Sequence, residues 1–223
     1  MLRKLVAEAT GTGFVMTVVT GSTLMGARLS AETATGLLAT SLVVGLALAL
    51  MIALLGPVSG GHLNPAVTLM AALRREIGAR SAVAFVAAQT AGALAGVALA
   101  QVMFDQPVFQ ISTTVRALPS LWLSEFLATA GLIFVILGAL AARRPVPLVV
   151  GAYVTAGYWF TASTGFSNPA MTLARSLTDT AAGLRPQDLP AYLVAQCAGA
   201  LAGYALATWL FTKEKPPILA DGG

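Results

Sequence analysis

The chain has 223 residues, of which 57% are hydrophobic and 10% charged. A soluble domain carries roughly 25% charged residues, so the composition excludes an ordinary water-soluble globule and points to lipid as the solvent. The net charge is +4 at pH 7, but no basic stripe lies on a soluble element, which excludes nucleic acid as a partner.

A helix crosses the hydrocarbon core with about 20 mostly apolar residues. Six blocks fit, at 5–27, 33–55, 81–104, 119–142, 146–163 and 190–211. The block at 5–27 is longer than a signal core and others follow it, so it reads as a span rather than a cleaved leader. It carries an acid, Glu8. The second block carries Val44, and after it come Ser59–Leu63, with His62, and Asn64-Pro65-Ala66. The apolar run 67–73 then meets Arg74 and Arg75 and is too short to span. The third block holds Gln89, Gly92 and Gly96.

The fourth block begins with a second acid, Glu125, and the fifth holds Tyr158. Residues 164–167, with Gly165 and Phe166, lead into Asn168-Pro169-Ala170, and the short run 171–174 meets Arg175. The last block repeats the third with Gln196, Gly199 and Gly203. Its Cys197, the only cysteine, excludes an internal disulfide and a cysteine metal cluster and reads as a small apolar residue.

The order acid, Asn-Pro-Ala, Gln, Gly-x-x-x-Gly therefore occurs twice, in halves at about 1–110 and 116–212 of one domain spanning 1–223. Three spans per half turn the second half upside down, and an inverted repeat places a solute path near the midplane. The paired glycines read as packing between the halves.

Each Asn-Pro-Ala suits the start of a short helix entering from a loop. Asn is a preferred N-cap, and proline is favoured at the first helical position. Two such starts meeting would bring the amides of Asn64 and Asn168 and two positive dipole ends beside one passing solute. That point would be hostile to cations. Irregular backbone at this depth is tolerated where it lines a cavity, so 59–63 and 164–167 are expected to present carbonyls to the pore.

On these motifs the chain resembles the major intrinsic protein family, the aquaporins and aquaglyceroporins, from Glu8 to Gly203. The resemblance implies an all-α membrane protein of six transmembrane helices plus two Asn-Pro-Ala half-helices. It also implies a homotetramer with a pore in each subunit, Asn64 and Asn168 as central donors, and Glu8 and Glu125 bracing the loops. No cofactor, metal or catalytic residue is implied. Bracing is favoured over solute contact for the two acids, because an unpaired charge in the membrane is costly.

The family usually carries arginine directly after the second Asn-Pro-Ala; this chain has Met171, flexible and without a donor. Alignment with the family places Val44, Tyr158, Met171 and either Gly165 or Phe166 in the filter. Such a mostly apolar ring is expected to admit bulkier neutral solutes than a strict water filter. Arg175 follows Met171 by four residues, on the same helix face and about 6 Å further along. It reads either as a displaced charge in the outer vestibule or, preferred, as an exposed helix-end arginine paired with Asp179. His62, the only histidine, either lines the inner vestibule or holds its loop. As the side chain whose ordinary pKa lies nearest neutrality, it is the candidate for a pH response.

Arg3, Lys4, Arg74, Arg75, Arg80, Arg143, Arg144, Lys213 and Lys215 fall on one side of a six-span arrangement; Arg28, Arg116, Arg175 and Arg185 fall on the other. Cytoplasmic loops keep the positive excess. Both termini, including the tail 213–223, are therefore expected in the cytoplasm, with the chain in the inner membrane. The leading reading is a passive channel for small neutral solutes, with glycerol and arsenite-like metalloid hydroxides ahead of strict water selectivity. A coupled secondary transporter is the alternative class, and it would need embedded charges beyond Glu8 and Glu125. An intramembrane enzyme lacks a nucleophile–base pair or metal ligands.

Overall fold

A computed structural model describes residues 1–29 and 32–211. The expected tail 213–223, with Lys213 and Lys215, lies outside the described residues. Among those described there are helices and no strands. In chain order they are α1 (Leu2–Leu29), α2 (Thr33–Ser59), α3 (Pro65–Leu73), α4 (Ala79–Met103), α5 (Pro119–Ala141), α6 (Val146–Phe160), α7 (Pro169–Ala174) and α8 (Leu189–Phe211). Short 3-10 turns at Arg175–Leu177 and Pro186–Asp188 precede α8.

Four of these helical stretches are both long and apolar enough to cross a membrane: Thr33–Ser59, Ala79–Met103, Pro119–Ala141 and Pro186–Phe211. Helix α1 has 28 residues, but Thr10, Thr12, Thr17, Thr20, Ser22 and Thr23 dilute its apolar character. Helix α6 has only 15 residues, about 22 Å of rise against a core of roughly 30 Å. The expected fifth block ran to Ser163; the helix stops at Phe160 because Thr161 is extended, with φ −114° and ψ 138°.

Outward positions carry large apolar side chains, among them Leu46, Val83, Leu148, Val194 and Trp209, each at least 66% exposed. Water would penalise that surface and lipid would not. The interior holds the polar groups instead: Glu8, Thr12, Gln89, Glu125, Thr129 and Gln196 are fully buried.

The two halves use the same packing. Helix α1 lies along α4, and α5 lies along α8. A Cβ on Gly92 would run into the Ala9 carbonyl oxygen, and one on Gly96 into that of Gly13. In the second half a Cβ on Gly199 would meet the Phe126 carbonyl, and one on Gly203 that of Ala130. The four glycines thus let backbones touch, but within each half, which corrects the expectation that they join the halves. The crossing between halves is α2 on α6, where Cβ atoms on Gly45 and Gly151 would each lie 2.6 Å from the other residue's carbonyl oxygen. Trp159 Nε1 closes the same crossing by donating to Ser41 Oγ at 3.0 Å.

Candidate pore and its constriction

The loops leading into α3 and α7 take the same unusual path. Gly60, Gly61 and Leu63 have positive φ of 101°, 61° and 51°; Thr164, Gly165 and Ser167 have 64°, 59° and 47°. Leu63 and Ser167 gain no freedom from a missing Cβ, so the surroundings must hold them there. Two buried acids supply the hold. Glu8 Oε1 accepts from Ser59 Oγ (2.6 Å) and His62 N (3.1 Å), and its Oε2 accepts from Leu63 N (2.7 Å) and Gln89 Nε2 (2.8 Å). Glu125 Oε1 accepts from Ser163 Oγ (2.6 Å) and Phe166 N (2.8 Å), and its Oε2 accepts from Ser167 N (3.0 Å) and Gln196 Nε2 (2.6 Å). Each carboxyl therefore gathers four donors from its own half.

Both asparagines cap the helices that follow them, and prolines occupy the first turn. Asn64 Oδ1 accepts from Ala66 N at 2.8 Å. Asn168 Oδ1 accepts from Ala170 N at 3.2 Å and Met171 N at 3.3 Å. The amide nitrogens cross over: Asn64 Nδ2 donates to Ser167 O (2.7 Å), and Asn168 Nδ2 donates to Leu63 O (2.9 Å). The sequence reading left both amide groups free for solute. In the structure each commits one N–H to the facing loop, and its other N–H remains. The same crossing explains the positive φ at Leu63 and Ser167, which aims those carbonyls at the opposite asparagine.

Both asparagines line one cavity of about 520 Å³. Its wall is mostly apolar, with Val15, Val44, Leu48, Ile52, Ile136 and Val150. His62 and Glu76 also line it, together with Asn64, Asn168 and the loop residues Gly60, Gly61 and Ser167. A second cavity of about 440 Å³ lies beyond, lined by Thr23, Glu32, Thr40, Thr164, Ala181 and Ala182 among others. Val19, Tyr158 and Arg175 line both, so they form the partition between the chambers.

Val44, Tyr158 and Met171 belong to one buried cluster, and Gly165 and Phe166 line the first cavity beside them. Val15 and Val19 join that cluster and were missed. Their signal was present as an i, i+4 pair in register with Gly11, which lies on the buried face of α1. His62 does two things at once. It faces the cavity, and its Nδ1 is 3.1 Å from Thr68 Oγ1. Its ring also packs edge-on against Phe85 at 5.4 Å, and in the other half Phe166 and Tyr192 meet at the same distance with their rings tilted.

Arg175 departs from the preferred expectation. It is 4% exposed, not surface-lying. Asp179 Oδ1 instead accepts from Thr113 N (2.8 Å) and Thr113 Oγ1 (2.9 Å). Helix α7 ends at Ala174 and tightens into a 3-10 turn, which redirects Arg175 from the α-helical face that a simple four-residue spacing implied. Its guanidinium carbon sits 3.6 Å from the centre of the Phe166 ring.

Two short helices meeting cap to cap beside a partitioned cavity, inside a helical shell with an apolar exterior, define a multi-pass membrane pore. The comparisons agree. The model of the family described as Major intrinsic protein matches residues 1–167 and ends just before Asn168. Aquaglyceroporin AqpS of Rhizobium meliloti (strain 1021) is 47% identical over 98% of this chain and 94% of its own length. Aquaporin NIP1-1 of Oryza sativa subsp. japonica is 32% identical over 91% of this chain and 72% of its own. The aquaglyceroporin structure from Plasmodium falciparum superposes with a TM-score of 0.74 at 22% identity, covering 94% of this chain and 95% of that one. The chain belongs to the major intrinsic protein family. It is a passive membrane channel for small neutral solutes, not an enzyme.

Proposed function

We propose that this channel passes glycerol-sized polyols and uncharged metalloid hydroxides such as arsenite as well as water. The observation that carries the reading is the first cavity: one apolar chamber into which both capping asparagines open. Apolar walls do not demand that a solute exchange every hydrogen bond it made in water, and Asn64 and Asn168 each keep one N–H for its oxygens. In this reading Val44, Tyr158, Met171 and the Gly165–Phe166 pair form the filter. Met171 offers a movable apolar surface where a rigid donor would restrict width. Glu8 and Glu125 brace the loops, and His62 lines the inner vestibule while holding its own loop.

The architecture that fits is a single six-span domain with α3 and α7 as half-helices and α1 and α6 completing the spans. Tilt, flanking residues and local thinning of the bilayer accommodate the short α6. Nine basic residues on one side favour cytoplasmic termini in the inner membrane. A homotetramer is the assembly that the family resemblance implies, and it would cover part of the exposed apolar surface. Vesicle swelling with the purified chain, against a panel of water, glycerol, a larger polyol and arsenite, tests the solute reading. Glycerol and arsenite should accelerate with channel content; acceleration of water alone returns the strict water filter.

A further inference from the structure

Arg175 is the one buried cation on the partition between the two chambers among the described residues. Its Nη1 donates to Ala182 O at 3.2 Å, and its guanidinium lies over the Phe166 ring. Its Nε has no hydrogen-bond partner. Among the described residues the ion pairs are Arg74–Glu76 and Arg185–Asp188, and neither involves Arg175. Asp179 is held by Thr113, and Glu125 by its four donors. Arg116 lies over the same Phe166 ring at 5.1 Å and adds positive charge.

The anchor is also built. Arg116 donates to Gly183 O (2.8 Å) and Ala181 O (2.9 Å), fixing the residues on either side of Ala182. Leu184 N donates to Arg175 O at 3.1 Å. A buried unpaired charge is costly, and a fold keeps one where a passing group can use it.

Resting on the channel reading, we propose that Arg175 is the charge-sorting residue of this pore. It is supplied from the 3-10 turn after α7 and held over Phe166 by the outer loop, while Met171 beside it stays apolar. The ring Val19, Tyr158 and Arg175 then combines an open N–H donor for the oxygens of neutral solutes with a fixed positive charge that turns back cations. Charge selection and width are thus set by different residues: Arg175 sorts by charge and Met171 by size.

The test measures glycerol and sodium flux in proteoliposomes bearing the natural chain, Arg175→Met, Arg175→Gln or Arg175→Lys, each checked for assembly by gel filtration. The natural chain and Arg175→Lys should pass glycerol and retain sodium. Arg175→Met and Arg175→Gln should raise sodium leak on the order of a hundredfold relative to the glycerol flux measured in the same vesicles, because an unscreened charge a few Å from the path dominates the barrier. If the lysine variant leaks as much as the methionine and glutamine variants, width and not charge is the cause, and the proposal is overturned. It is equally overturned if neither neutral variant leaks. A natural chain that passes neither water nor glycerol would instead overturn the channel reading beneath it.

Discussion

Replacing Glu125 by glutamine removes one acceptor from a site where every neighbour donates. The new NH₂ has two places to go. At the Oε2 position it faces Ser167 N, whose bond is lost, and Gln196 Nε2, whose bond is lost unless the Gln196 amide flips and gives up its bond to Thr172 Oγ1. At the Oε1 position it faces Ser163 Oγ, which can turn its proton and accept, and Phe166 N, which cannot. The second arrangement is cheaper, and it strands one buried backbone N–H at about 1–3 kcal/mol. The same loop holds Ser167 at φ 47°, so relaxation also moves the carbonyl that Asn64 uses. Glu125→Gln is therefore expected to lower the thermal midpoint in detergent. It should also reduce stopped-flow water and glycerol permeability per assembled channel several-fold. Glu8→Gln should do the same through His62 N and Leu63 N. Unchanged midpoint and flux in both variants would refute the bracing argument.

Asn168→Leu deletes the cap on α7 and the bond to Leu63 O, and loss of flux or of assembly is expected in proteoliposomes; undiminished flux would remove Asn168 from the solute path. Met171→Arg adds a second guanidinium near Arg175 and fills the chamber. Glycerol flux should fall by roughly an order of magnitude, about 1.4 kcal/mol of barrier, with water falling less. Equal loss of both would count against Met171 at the constriction. Outside the membrane, the Thr113 backbone N–H, and then its hydroxyl, hold the Asp179 carboxyl below its ordinary value. A lowered folded pKa gives stabilisation that is present above the unfolded value, about 3.9, and is lost as pH falls through the folded one. Amide exchange at Thr113, taken relative to its intrinsic rate at each pH, should rise in the natural chain as pH falls through the lowered Asp179 value. In Asp179→Asn it should show no such step.

Local chemistry was readable from the chain alone. Asn is a favoured N-cap and Pro a favoured first helical residue, so the beginnings of α3 and α7 and their ends at Arg74 and Arg175 follow from a few residues each. The shared order of motifs likewise showed that two halves use one plan, which α1 against α4 and α5 against α8 then repeat. Partners distant in sequence were not readable. Gly92, Gly96, Gly199 and Gly203 announce a close approach but not to which helix, and the helices they meet are in their own halves. Gly45 and Gly151 join the halves without any paired-glycine motif. For Arg175, the i, i+4 spacing to Asp179 assumed a continuing α-helix. The chain instead tightens into a 3-10 turn, Thr113 from a remote loop takes the aspartate, and Phe166 takes the arginine. Val15 and Val19 carried an i, i+4 signal, but Gly11, Thr12 and Thr20 share their buried face and kept it from standing out.

The most direct measurement is glycerol entry into proteoliposomes with and without imposed proton and sodium gradients. A passive conduit through the Asn64–Asn168 chamber should give the same rate under all conditions, rising linearly with glycerol concentration and ending at equal concentrations inside and out. Accumulation above the external concentration, driven by either gradient, would contradict it.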